Sequence, residues 1–319
     1  MADAPVSALL PVEVGLTAAI VAVEGDEPLI QLAPGGSEAA LPSGPFNPVQ
    51  HRTFEIGLRA WVTQQTGAPL GYVEQLYTFG DRGRHAREGD RNPHIVSVGY
   101  LALTRTPTGA RPHSADFRPW YRFFPWEDWR AGPPALLGAV IAPALTAWAA
   151  AAQKHESAGM PTRVERMRQL FGDGTTPFDE EKVLERYELL YSAGLVAESA
   201  RDGRTAGPLA ALGQPMRYDH RRILATAMGR LRAKLKYRPV IFELMPGAFT
   251  LTHLQRSVEA ISGRHLHKQN FRRLVETSQA VEATGQVAHA TGGRPAALYR
   301  FRREVLQERP APGLRVGKA

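Results

Sequence analysis

The chain of 319 residues is long enough for two ordinary domains with a well-buried core, and 43% apolar with 22% charged residues is the composition of a folded, soluble protein. It holds no cysteine, which excludes disulfides, thiolate metal sites, iron–sulfur clusters and a cysteine nucleophile. The net charge of +8 is unevenly spread: residues 217–319 carry 20 Lys and Arg against 7 Asp and Glu, and residues 1–216 carry 19 against 24. That asymmetry suggests an acidic body joined to a polyanion-binding module, with a merely solvated basic surface as the alternative.

Residues 1–50 contain no Lys or Arg, so no basic region of a signal peptide is visible, and a cytoplasmic location is expected. Residues 12–23 are β-branched and Ala-rich, Gly25-Asp26 signals a turn, and 28–32 reads as a short partner strand. Leu58, Trp61 and Val62 recur at helical spacing over 54–66, with Gly67 placed to end the helix. Residues 72–79 and 95–104 read as strands, the second nearly all apolar and hence central in a sheet. The loop between them carries Arg82, Arg84, Arg87 and Arg91. No G-x-G-x-x-G or Walker motif is present, which argues against a Rossmann domain or a P-loop.

Seven aromatic residues lie between Phe117 and Trp129; the cluster suits core packing, with base stacking as the alternative. Residues 131–153 are free of charge but Ala-rich and interrupted by Pro143, so a broken, buried helix is expected rather than a membrane span. Helices are expected over 163–171 and 178–193, the latter with three acids in its first turn. Residues 200–215, Gly-rich and polar, mark a boundary. A helix over 218–235 follows, with Asp219 as its cap and a basic outer side of Arg221, Arg222, Arg230, Arg232, Lys234 and Lys236.

Residues 249–301 follow one plan: a helix capped by Thr250, a turn at Ser262-Gly263, a second helix over 267–278, then a hairpin. The second helix buries Phe271, Leu274 and Val275 and leaves His267, Lys268, Gln269, Asn270, Arg272 and Arg273 on its leading edge. The hairpin tip is Gly292-Gly293-Arg294-Pro295, and Arg300, Arg302 and Arg303 follow it. This is the layout of a winged helix-turn-helix. Gln, Asn, Arg and Lys supply the donors that base edges in the major groove require, while Arg294, Arg300 and Arg302 suit groove or phosphate contacts.

The segments 234–244, 270–273 and 292–301 resemble the winged-helix half of the Nudix-related transcriptional regulators, and 74–81 with 96–103 resemble their Nudix half. The longer form, with residues 117–215 inserted, is most similar to the divergent NadQ-type branch. That resemblance implies an α+β chain: a Nudix-like α/β/α sandwich over 1–216 with a helical insertion at 117–215, a linker helix at 217–236, a winged helix over 237–306 and a tail at 307–319. It also implies control of NAD biosynthesis genes, probing of ATP as effector (ADP-ribose or NAD being the alternatives), and a homodimer on palindromic operator DNA.

Enzymatic Nudix proteins hold magnesium beside a diphosphate with glutamates on one helix face. Aligned on Gly67, Trp61, Gln64 and Gln65 stand where those glutamates are required, and Glu55 alone is left nearby. Gln is a poor ligand for a hard dication, so no catalytic residue, metal site or catalytic cofactor is expected. An active hydrolase of ADP-ribose is the alternative reading, and a ligand-free nucleic-acid adaptor a third. For the effector, Arg52, Arg59, Arg82 and Arg84 are candidate phosphate ligands and Trp61 or Phe79 candidate adenine platforms, against the reading of solvated or ion-paired arginines.

Overall fold

The computed structural model describes residues 11–67, 70–81, 94–105, 116–151, 161–172, 176–203, 212–288, 295–308 and 313–314. Its spine is β1 (Val12–Glu24), whose side chains alternate between two buried faces. Gly25, at φ +64°, turns the chain into β2 (Glu27–Gln31), and the short β3 (Ser43–Pro45) pairs with the start of β1. On its other edge β1 runs parallel to β5 (His94–Leu103), which pairs antiparallel with β4 (Val73–Phe79). With β6 (Phe117–Pro119) beside β2, the sheet order is β4-β5-β1-β2-β6.

Helix α1 (Phe54–Thr66) is capped by Thr53, whose Oγ accepts from the Ile56 amide at 3.3 Å, and ends at Gly67 in the left-handed region. It sets Leu58 and Val62 against Leu16, Ala18, Ile20, Val98 and Tyr100 on one sheet face. The opposite face, with Ala19, Val21, Leu101 and Leu103, is covered by Ile223, Leu224, Ala227, Met228 and Leu231 of α6 (His220–Leu235). Gly99 makes this approach possible: a Cβ there would lie 2.9 Å from the Phe79 ring and 3.1 Å from Ile223. The segment expected as a linker thus supplies the second outer layer of an α/β/α sandwich.

Most of the aromatic run at 117–129 is core. Trp120, Phe123, Phe124 and Trp126 are fully buried, which removes them as a platform for a base. After them come a π-turn (Leu137–Ile141), α2 (Ala142–Ala150), α3 (Arg163–Phe171), α4 (Val183–Ser192) and the short α5 (Ala197–Arg201). The charge-free stretch is not the buried helix expected: within 131–151 only Ile141 and Leu145 are buried. Pro143 does not end the helix either: the chain stays helical from the π-turn into α2, and that π-turn, immediately before the proline, is where the regular α-helical pattern is relaxed. Among the described residues no helix is long and apolar enough to cross a membrane.

Helix α4 begins at Val183, five residues later than its acids suggest. Two of those acids bind tertiary partners instead: Glu180 pairs with Lys236 at 3.0 Å and Arg264 at 3.2 Å, and Glu181 with Lys236. Asp219 stands at the start of α6 but its side chain makes no capping bond. The basic side of α6 is also different from the expectation, since Arg221 and Arg232 are fully buried. Arg221 bonds Glu198 at 3.0 Å and the Phe123 carbonyl, and Arg232 bonds Glu127 at 2.7 Å.

Glu127 is itself buried and receives Arg186 in a two-pronged pair at 2.6 and 2.8 Å. Burial alone would raise its pKa, but the Arg186 and Arg232 guanidinium groups hold it below the ordinary value of 4.5. Its share of stability is therefore complete above about pH 4.5 and is lost as the pH falls through the lowered value. Glu127→Gln leaves two buried guanidinium groups without their counter-charge and is expected to cost about 3–5 kcal/mol of unfolding free energy in urea titrations. A loss under about 1 kcal/mol would show that backbone carbonyls alone satisfy the two arginines.

Candidate nucleic-acid interface

Beyond α6 the chain makes a 3-10 turn (Val240–Glu243), then α7 (Leu251–Ser262), α8 (Lys268–Ser278), the hairpin β7 (Val281–Ala288) and β8 (Ala296–Phe301), and a last turn α9 (Val305–Glu308). Thr250 caps α7 as its residue type suggests, accepting from the His253 amide at 3.1 Å. Gly263, at φ +72°, ends the helix. The inter-helix turn is held by Glu259, which accepts from the Leu266 amide at 2.7 Å, and by Gln255, which donates to the Leu266 carbonyl at 2.8 Å. His265 belongs to this turn: its ring nitrogen lies 3.1 Å from Glu259.

Phe271 and Val275 anchor α8 in the core. Every candidate on its leading edge, His267, Lys268, Gln269, Asn270, Arg272 and Arg273, is exposed. At 3.6 residues per turn these six spread around the helix, and Lys268 and Arg272, one turn apart, share the side that lines a cleft. Strand β8 pairs with β7 and also with Phe249, whose amide and carbonyl bond those of Tyr299 at 2.9 and 2.8 Å. Phe301 of β8 stacks on Phe242, with ring centroids 4.3 Å apart, which fixes the hairpin to the helices. Arg300 is exposed but engaged with Glu282 at 2.6 Å, and Arg302 is half-buried. Arg294, at the hairpin tip, lies outside the described residues.

An open cleft of about 1040 Å³ runs between the start of α7, α8 and the hairpin from Pro295 to Tyr299. Arg256, Lys268 and Arg272 give it a positive lining, beside His253 and opposed by Glu276 alone among the described acids that line it. Burial, and then the neighbouring Arg256, hold the His253 imidazole below its ordinary 6.5, so the ring is neutral at pH 7. Sequence reasoning passed over His253 and Arg256. Their spacing of three after the Thr250 cap would have placed them on one side of α7, but nothing local shows that this side faces α8.

The nucleotide candidates do not form one group. Arg52 and Arg59 and the Trp61 ring lie on the α1 side of the sheet. Phe79 is buried on the α6 side, beneath the Arg222 guanidinium at 5.3 Å, and offers no face to a ligand. Arg59 is spent in part on local structure, with Glu55 at 3.0 Å and the Leu70 carbonyl at 3.1 Å. Trp61 lies flat on Gly44, where a Cβ would be 2.3 Å away, and donates to the Pro45 carbonyl at 2.8 Å. Arg82 and Arg84 lie outside the described residues. On the α1 side the structure adds Tyr100, whose hydroxyl is 3.3 Å from Gln75, and whose pKa is raised by burial and by Glu55. Strand alternation could have placed Tyr100 there. No group of three or more metal-binding side chains occurs among the described residues.

Residues 241–301 match the family described as the NrtR DNA-binding winged helix domain. The ADPR responsive transcriptional repressor NtrR of Acinetobacter baylyi is 44% identical over 91 residues, or 28% of this chain and 36% of that protein. The match thus spans little more than a third of the curated relative's length. Shewanella oneidensis NrtR, solved in complex with a 27mer DNA, is similar over 92% of this chain and 95% of its own, with a TM-score of 0.52 and 18% identity. A MutT/nudix family protein from Enterococcus faecalis is similar over 91% of this chain and 88% of its own, with a TM-score of 0.50 and 15% identity. Residues 241–301 are thus an NrtR-type winged-helix domain, on a chain that shares the fold of a Nudix domain joined to a winged helix.

Proposed function

We propose that this chain is a DNA-binding transcriptional repressor whose Nudix-like domain senses an adenine nucleotide instead of hydrolysing it. The observation that carries the reading is α8, anchored by Phe271 and Val275 and presenting six exposed polar or basic side chains beside a basic cleft. A major groove admits such a helix, and Gln269, Asn270, Arg272 and Arg273 are the side-chain types that read base edges there. Lys268 and Arg272, which also line the cleft, suit the phosphate backbone.

Loss of catalysis is supported by α1. Its single carboxylate, Glu55, is committed to Arg59, and a diphosphate-bound magnesium ion needs several oxygen ligands. The curated relative's response to ADP-ribose favours that ligand over the ATP of the NadQ-type resemblance; the α1 side, with Arg52, Arg59, Trp61 and Tyr100, is where we place it. We assign the regulated genes to NAD biosynthesis, and the acting form to a cytoplasmic homodimer on a palindromic operator. The effector controls binding by preferring one arrangement of the two winged helices, a coupling of typically about 1–3 kcal/mol.

A mobility-shift assay on the gene's own upstream DNA, with ADP-ribose, ATP and NAD added separately, is expected to show a shifted band that ADP-ribose alters most. An unshifted duplex at micromolar protein would overturn the reading. On that duplex Asn270→Ala is expected to cost about 1–3 kcal/mol and to relax specificity. Lys268→Ala should instead weaken all sequences alike and flatten the salt dependence by about one. If neither change alters affinity, α8 is not the reader.

For the sensor, calorimetry on Arg52→Ala and Arg59→Ala proteins is expected to show weakened ADP-ribose binding; wild-type affinity in both would move the pocket off α1. With magnesium present, no AMP should be released from ADP-ribose above background. A rate abolished by Glu55→Gln would favour the hydrolase.

A further inference from the structure

One residue in the lining of the basic cleft comes from the body of the molecule. Gly25, at the tip of the β1–β2 turn, lines it together with Arg256, Lys268 and Arg272. The turn is acidic, with Glu24, Asp26 and Glu27 in four residues. Glu27 is paired with Arg130 at 3.1 Å. Neither Glu24 nor Asp26 has a hydrogen-bond or ion-pair partner for its carboxylate among the described residues. Glu24 and Asp26 flank Gly25 on either side, which sets two carboxylates without a described partner next to a positively lined cleft.

The turn is held there by a short chain of contacts. Arg130 donates to the Asp26 carbonyl and pairs with Asp128 at 2.8 Å, and its guanidinium lies 5.1 Å from the Tyr121 ring centroid. The Tyr121 hydroxyl in turn donates to the Ala260 carbonyl near the end of α7, at 2.8 Å. One inserted segment, residues 120–130, so fixes both the acidic turn and the helix that leads into α8.

We propose that the β1–β2 turn is an electrostatic gate on DNA binding: held by Arg130, its free carboxylates oppose a phosphodiester backbone seated against Arg256, Lys268 and Arg272. The inference rests on the DNA-binding reading above and names how that site is regulated. Charges of like sign about one Debye length apart still repel measurably at physiological salt, and the repulsion fades as salt rises. An effector that shifts the winged helix away from the turn relieves it, and by linkage DNA then favours the same arrangement.

The test is fluorescence anisotropy of a labelled upstream duplex and of a scrambled duplex of equal length, using the full chain. Asp26→Asn is expected to tighten binding of both duplexes about two- to fivefold at low salt, and Glu24→Gln with Asp26→Asn to tighten it further. The gain should shrink between about 0.05 and 0.3 M salt. Glu185→Gln removes one charge from an exposed position on α4 that does not line the cleft, and should leave affinity unchanged. The gate is overturned if Asp26→Asn binds as wild type or more weakly, or if Glu185→Gln gains as much. Wild-type protein that binds neither duplex would instead overturn the DNA-binding reading, and the gate with it.

Discussion

The carboxylate of Glu127, enclosed by the guanidinium groups of Arg186 and Arg232, is the contact on which the joint between body and winged helix depends. Two cations around one anion in a dry interior would be unfavourable if left there alone. The surplus charge is spread over backbone carbonyls. Arg186 donates to those of Leu170 and Asp179, and Arg232 to those of Ile261, Glu180 and Glu127. Several of these oxygens lie at helix or loop ends that have no partner within their own element. The cluster therefore gathers α3, the start of α4, α6 and the end of α7 around one buried point.

The end of α7 matters most for function. Its last carbonyls form the negative pole of the helix, and both Arg232 and Tyr121 bond there. Trp129 adds a backbone bond to the Gly263 carbonyl at 2.7 Å. A side chain at Gly263 would meet the Glu127 carbonyl at 2.5 Å, so glycine serves both the positive φ and the close approach. The winged helix is thus attached to the body by the base of the helix that precedes α8.

The two sides of the sheet have separate tasks. The α6 side is filled with large apolar groups and buried ion pairs and leaves no room for a ligand among Phe79, Ile223 and Gly99. The α1 side retains polar groups, with Glu55, Arg59, Gln75 and Tyr100 near an exposed helix. This division separates Arg52, Arg59 and Trp61 of the sequence reading from Phe79, even though all four precede the same loop.

The sequence by itself determined the elements whose signals are local. Period-two and period-3.6 patterns, the cap at Thr250 and the glycines at 67 and 263 place β1, α1, α7 and α8 within a residue or two. The exposed edge of α8 was legible for the same reason, because one helical face must bury Phe271 and Val275. Residue type alone could not say which arginines are buried, since Arg221 and Arg232 read as solvated until Glu198 and Glu127 arrive from elsewhere in the chain. Nor could it say that Asp179, Glu180 and Glu181 precede α4 instead of starting it. Tertiary structure decided these points: partners 23 to 105 residues apart set the local dielectric and charge, and those override helix-end and surface preferences.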